Sequence, residues 1–423
     1  MVKAASVCLM LLAAASVGRS NDGNGALPSG LLADGQSFSA KLVEVTGDGQ
    51  FVFERAGTRL NVDRRDLVLW GTYADRDRDC QLVFADGGML VADVLAIEPD
   101  AVVVAGRRWA DARIPPGLVR GIVFRPPADP LVRDMLYFRV LDELREEDRL
   151  VLENGDELAG RMPTPVRPEP GGFHPTSFQW PVRGRSELMT VPVERVVAVL
   201  FASDKRAAAR APEPATLVGL RDGSRLYVRR IERKENVLEL ELTNGHRLAT
   251  APTSTADPWG AVTLLQPLDD RVVYLSDLEP LAYQHTAFLA VDWPYRRDRS
   301  VSGGRLRHLG HVATKGLGMH SSSRLAYDLP GRFRALHAEL AIDQRAGSQG
   351  SVTYRVFLQD PSGEWKKAFE SEPVRGAQPA VPVRVELSDA VRVALIVDFA
   401  DRADQWDHAN WLNARLIPYG PEP

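Results

Sequence analysis

The chain has 423 residues, 44% of them hydrophobic and 26% charged, with a formal net charge of -4. That length is enough for about two to four domains, and the composition is that of an ordinary globular protein. The slight acidity argues against a nucleic-acid partner, which favours a basic surface. No segment after the N-terminus approaches the ~20 apolar residues of a membrane span.

The first element is a targeting signal. Lys3 precedes an uncharged apolar run over residues 4–17, and Ser16, Gly18 and Ser20 follow as small residues at a cleavage point. A charged start, an apolar stretch and small residues make a signal peptide, assigned here to residues 1–20. The mature protein is therefore expected outside the cytoplasm, secreted or periplasmic. Cys8 lies in the apolar run, which leaves Cys80 alone and no intrachain disulfide. Asp77 and Asp79 beside Cys80 disfavour a reactive thiolate.

A repeated pattern follows. Asp34-Gly35, Asp86-Gly87, Asn154-Gly155 and Asp222-Gly223 each open a similar series of strand-like runs. Asp-Gly and Asn-Gly supply the positive φ values of tight hairpins. The closing segments repeat too: residues 114–124 match 191–201, and 60–70 are a weaker copy. A unit of about five short strands has the size of an Sm-like or SH3-like barrel, an analogy of pattern that says little about function. Two units are expected over residues 21–125, a helix plus a third over 126–203, a linker over 204–215 and a fourth over 216–271.

The helix is expected over residues 129–148. Asp129 followed by Pro130 is a good helix start, and Leu131, Met135, Phe138 and Leu141 share one face. A Pro/Gly-rich insertion over residues 163–180 reads as an irregular loop in the third unit.

From residue 272 the texture changes. Val352, Tyr354, Val356 and Leu358 alternate with polar residues. So do Val381, Val383, Val385 and Leu387; Val391, Val393, Leu395 and Val397; and Leu336, Ala338, Leu340 and Ile342. Period-two alternation over several strands predicts sheets with one buried face, and two such sheets make a sandwich. The fold expected is all-β: small barrel units followed by a β-sandwich over residues 272–423.

Within that last region stand Lys315-Gly316-Leu317-Gly318-Met319-His320-Ser321, Ala341-Ile342-Asp343 and Asp407-His408-Ala409-Asn410-Trp411-Leu412-Asn413. Tyr274-Leu275-Ser276-Asp277-Leu278 and Trp293-Pro294-Tyr295 precede them. In order and spacing these resemble the NPCBM family, over about a third of the chain. The resemblance implies a jelly-roll, galactose-binding-like sandwich that binds carbohydrate beside other modules of secreted proteins. The family usually has Gly where Ala341 stands and an acidic residue where Gln344 stands.

A sugar site needs an apolar face for the C–H side of the ring and planar polar groups for hydroxyls. Trp406 and Trp411 are candidates for the first; His320, Asp343, Asp407 and His408 for the second. Each has a structural alternative: Trp411 as core, Asp407 and His408 as loop braces, His320 as a structural hydrogen-bonding group. Asp398, Asp401, Asp404 and Asp407 carry hard oxygens for calcium, but without a known loop spacing, so no metal or cofactor is assigned. No Gly-x-Ser-x-Gly elbow, Walker-type glycine loop, His-Glu-x-x-His or Cys/His set occurs. The reading is a non-catalytic protein whose sandwich binds a carbohydrate or glycoconjugate, with the repeats as spacer or protein-binding platform. The alternative is a structural component of the cell envelope, partnered by envelope proteins and without sugar binding.

Overall fold

A computed structural model describes residues 27–419, except 74, 76–78, 107, 171, 173, 182–186, 204–213, 253–256, 269–271, 289–290, 330, 332 and 402. The signal-peptide assignment and nearly all of the linker lie outside the described residues. What is described is almost entirely antiparallel β-structure with one α-helix.

The turn dipeptides do what their chemistry predicts. Gly35, Gly87, Gly155 and Gly223 all hold φ between 86° and 94°, which a side chain would strain. Each unit then closes on itself, because its first strand pairs with its last. Ser29–Leu32 pairs with Leu67–Gly71, Gln81–Phe84 with Val119–Val123, Asp148–Leu152 with Val196–Leu200, and Ala215–Leu220 with Val262–Leu268. The repeated closing segment is a short 3-10 turn, Pro116–Leu118 or Val193–Arg195, leading into the last strand.

The units do not sit in space as they run in sequence. Last strands pair across units, Val119–Val123 with Val196–Leu200 and Val262–Leu268 with Leu67–Gly71. The two pairs of units meet where Met89 opposes Arg225. The result is one 14-stranded sheet in which the third, second, fourth and first units follow one another. One hydrophobic core runs through all four, from Ala40 to Leu265.

The helix spans Pro130–Asp142, with Asp129 capping it by accepting the Val132 N–H. It is shorter than expected because Asp148 already begins the next strand. Its buried face is also different: Asp134, Tyr137 and Val140 face inward, while Met135 is 53% exposed. The reason is that the helix docks through charge. Asp134 accepts from the Arg305 main-chain N–H (3.0 Å) and from Arg307 Nε and Nη2 (2.9 and 2.8 Å). Asp75 takes Arg307 (2.5 Å), Arg133 (3.1 Å) and Arg305 (3.4 Å), which hold its carboxyl at about 2 despite burial. The surplus positive charge lies over ring faces, with Arg305 and Arg225 each 4.7–4.8 Å from the centre of Tyr137. Apolar periodicity does not register a face of this kind.

The C-terminal sandwich has two six-stranded sheets. One contains Arg296–Arg297, Gly316–His320, His408–Pro418, Phe333–Ile342, Val381–Glu386 and Val273–Tyr274. The other contains Ala282–His285, Ser323–Asp328, Arg392–Phe399, Ser351–Gln359, Trp365–Glu370 and Val374–Arg375. Between them lies a separate core that includes Leu317, Met319, Tyr327, Leu340, Tyr354, Leu395 and Trp411. The alternation read from sequence governs it: Val352, Tyr354 and Val356 point in, as do Val393, Leu395 and Val397, whereas the end residues Val381 and Val391 are exposed.

Candidate functional site

The glycine pair of the Lys315 motif sets the site's foundation. A Cβ at Gly318 would lie 2.3 Å from the Arg299 carbonyl oxygen, and one at Gly316 would lie 2.4 Å from the Trp411 oxygen. The strand Gly316–His320 can therefore be crossed closely by the loop before it. Lys315 ties the same region, reaching Asp277 (2.6 Å) and Asp298 (3.1 Å), which raise its pKa against the opposing effect of burial. His320 ends the strand directly opposite His408 at the start of His408–Pro418.

At this end of the sandwich five aromatic or imidazole rings converge. The Trp293 indole stacks on His320, with centroids 4.8 Å apart and planes 7° from parallel. His408 lies 5.8 Å from His320 and 5.6 Å from both Trp293 and Trp406. His285 meets His320 edge-on at 6.1 Å. The imidazoles are buried, while Trp293 is half-buried and Trp406 is 37% exposed. The arrangement is two accessible indoles on either side of a paired-imidazole floor.

Local hydrogen bonds hold it. The Trp293 carbonyl accepts from the Tyr283 hydroxyl (2.5 Å), and its N–H donates to His285 Nδ1 (3.3 Å). His285 Nδ1 also lies 3.2 Å from Asp292 Oδ1, and its Nε2 lies 3.3 Å from the Ser321 carbonyl, so both ring nitrogens are engaged. His320 donates from Nδ1 to the same carbonyl (2.7 Å), leaving Nε2 as an acceptor. Trp406 adopts φ of 60°, unusual for a bulky residue and costing of order 1–3 kcal/mol. Gly350 lets the turn lie close, since a Cβ there would be 2.3 Å from the Trp406 carbonyl oxygen. Strain of this kind concentrates at working sites.

The electrostatics favour neutral rings. Burial lowers the His320 pKa, and burial with the His320 and Arg345 charges brings His408 down to about 4. Both imidazoles are thus uncharged near neutral pH, each able to accept one hydrogen bond and donate another.

The six residues singled out from sequence have different fates. His320, Trp406 and His408 come together in the cluster. Asp407 is fully buried and braces it: one oxygen accepts from Ser321 Oγ (2.7 Å), the other from the Ser351 N–H (2.9 Å). Burial pushes its carboxyl up to about 6. Asp343 is also buried, accepting from the Arg345 N–H (3.0 Å) and Asn410 Nδ2 (3.1 Å), so it positions the turn that carries Arg345. Trp411 lies in the core, its ring edge-on to Tyr354 at 5.0 Å. A fully buried indole has no face to offer a ligand. Sequence reasoning quoted Trp293 without placing it at the site, and missed His285. The available signal was an aromatic, Trp293-Pro294-Tyr295, in a loop between strands.

Three of the four aspartates weighed for calcium are engaged with other protein groups, Asp407 as described above. Asp398 pairs with Arg355 and Ser322, and Asp401 with Arg375 and Ser351. Among the described residues no three His, Cys, Asp or Glu side chains converge on a metal position.

Comparison with known proteins places this region. Residues 271–417 match the family model of the NPCBM/NEW2 domain. A search of curated proteins finds no match. Among solved structures, the chain is similar to CBM51-2 with INT domains of Clostridium perfringens ZmpB in complex with GlcNAc, at 23% identity and TM-score 0.30, covering 45% of this chain and 40% of that one. It is similar to CBM51 of Clostridium perfringens GH95 in complex with methyl-galactose, at 24% identity and TM-score 0.30, covering 34% and 99%. It is also similar to the tandem CBM51 modules of Sp3GH98 from Streptococcus pneumoniae SP3-BS71, at 13% identity and TM-score 0.31, covering 92% and 99%. The chain spans about 40% of the first of these structures. The NPCBM/NEW2 match thus falls on the C-terminal sandwich, and the repeats before it lie outside the matched residues.

Proposed function

We propose that the C-terminal sandwich binds a carbohydrate or glycoconjugate at the Trp293, His320, Trp406 and His408 cluster, without catalysis. The observation that carries this is the pair of accessible indoles flanking neutral imidazoles on a braced frame. An indole face suits the C–H side of a pyranose, and imidazole nitrogens suit its hydroxyls. Asp343 and Asp407 act as positioning residues and Trp411 as core. The match to the NPCBM/NEW2 family agrees with this reading.

The repeats are read as a rigid mount. The Asp75, Asp134, Arg305 and Arg307 cluster joins the first unit, the helix and the sandwich. A mount of this kind fixes the direction in which the sugar site faces. The apolar N-terminal run over residues 4–17 supports a secreted or periplasmic setting. The test is a glycan array with the full chain. Binding to a defined glycan that is lost in Trp406→Ala at unchanged melting temperature supports the site; an unbound array, or equal binding by the variant, refutes it.

A further inference from the structure

The outer face of the second sheet carries a feature that the end cluster does not use. Along Ser351–Gln359 the side chains alternate, so Val356 enters the core while Arg355 and Phe357 face outward. Register sets Phe357 between Lys367 and Ala394, and Arg355 between Glu370 and Ile396. One position further along, Trp365 opposes Gln359 on the edge strand and is 40% exposed. Together these residues line an open groove of about 730 Å³.

We propose that this groove is a second carbohydrate-binding site, taking an oligosaccharide chain laid across the strands rather than a single terminal unit. Three observations favour that occupant. The apolar lining is the exposed Trp365 indole on the edge strand, with Phe357 on the next strand and Ala394 and Ile396 on the one beyond. The polar lining is planar and prearranged: Arg355 donates through Nε to Glu370 (2.6 Å) and through Nη1 to Asp398. These pairs hold donors and carboxylate lone pairs in fixed directions, as hydroxyl recognition requires. Lys367 pairs with Glu370 as well, so of the lining charges Arg355, Lys367, Glu370 and Asp398 are matched, and Arg324 adds one further cation. A peptide strand fits poorly, because Ser351–Gln359 is already paired on both sides and the groove offers a sheet face, not an edge.

The test is affinity electrophoresis of the full-length protein in native gels containing xyloglucan, galactomannan or hydroxyethylcellulose, with chondroitin sulfate as the acidic probe. At least one neutral polysaccharide should retard the wild type. Trp365→Ala should weaken that retardation about tenfold or more, the scale of losing one stacked ring. Trp365→Phe should restore most of it, and Trp365→Ala should cause the same fold-loss when introduced into Trp293→Ala as into the wild type, as independent sites do. This last comparison separates the groove from the end cluster, so either site can fail without the other. Retardation by none of the neutral polymers, retardation by chondroitin sulfate alone, or equal retardation of Trp365→Ala would overturn the proposal.

Discussion

The two regions treat tryptophan in opposite ways. The chain has eight. The four in the repeats, Trp70, Trp109, Trp180 and Trp259, are all at most 3% exposed. Trp70 donates to the Ala40 carbonyl (2.9 Å) and Trp109 to Asp222 (3.0 Å). In the sandwich only Trp411 is buried, while Trp293, Trp365 and Trp406 reach the surface. Each region has a complete apolar core of its own, so the sandwich does not leave indoles outside for want of a place to bury them. On the proposed reading, Trp293, held by main-chain hydrogen bonds, and Trp406, held at positive φ, are kept outside to meet a ligand. The repeats, by contrast, spend their aromatic residues on structure.

The strongest way to break this contrast is to remove the charges that join the regions. Asp134→Ala removes one of the two carboxylates that hold the buried Arg305 and Arg307, and should cost about 3–5 kcal/mol. Urea unfolding measures it. A loss below about 1 kcal/mol would mean that the regions are not locked together by this cluster.

Trp411→Ala should cost a similar amount, about 3–5 kcal/mol, by opening a cavity beside Tyr354. Trp406→Ala should change stability by no more than about 0.5 kcal/mol, as exposed substitutions do. It should weaken sugar binding by about 1–3 kcal/mol, on the scale of aromatic stacking. If the two variants melted alike, exposure would not separate core from site.

The smallest effect is in pH. Burial with the Arg415, Arg384 and Arg334 charges brings His337 down to about 4, and His408 lies near the same value. As pH falls below 6.5 the unfolded chain takes up these protons first. Their contribution to stability is therefore intact above 6.5 and lost progressively down to about 4. Asp407, raised from 3.8 to about 6, acts in the opposite sense, since the folded state binds its proton first. His337 packs on the turn at Gly35 and joins the regions a second time. His337→Gln should lose less stability than wild type between pH 6.5 and 4. Parallel pH profiles would remove His337 from the account.

Much of this was legible in the residues. Hairpin turns, the four units and the alternating strands of the sandwich follow from local chemistry, whose range is a few residues. That His320, Trp406 and His408 come together was legible because they stand at the ends of two strands and in the loop between elements, although both imidazoles are buried and only Trp406 is exposed. Other features depended on distance. Asp75 and Arg305 meet across 230 residues of sequence, and no local pattern encodes a helix face built on such a pair. The face read from the helix's apolar spacing is therefore only partly the packed one: Phe138 and Leu141 pack against the core, while Met135 is exposed. The exchange of unit order was hidden for the same reason, because last strands look alike whichever neighbour they pair with. Trp411 shows the reverse limit: composition cannot separate an indole that fills a core from one that meets a sugar.

The central claim is that ligand meets Trp293 and Trp406 at one end of the sandwich. Fluorine NMR of the full-length protein labelled with 5-fluorotryptophan tests it most directly, resolving the eight indoles by assignment through single Trp→Phe variants. Titration with the glycan identified by array should shift the Trp293 and Trp406 resonances in a saturable way and leave Trp411 and the four repeat tryptophans in place. Saturable shifts confined to other indoles, with Trp293 and Trp406 unmoved, would contradict it.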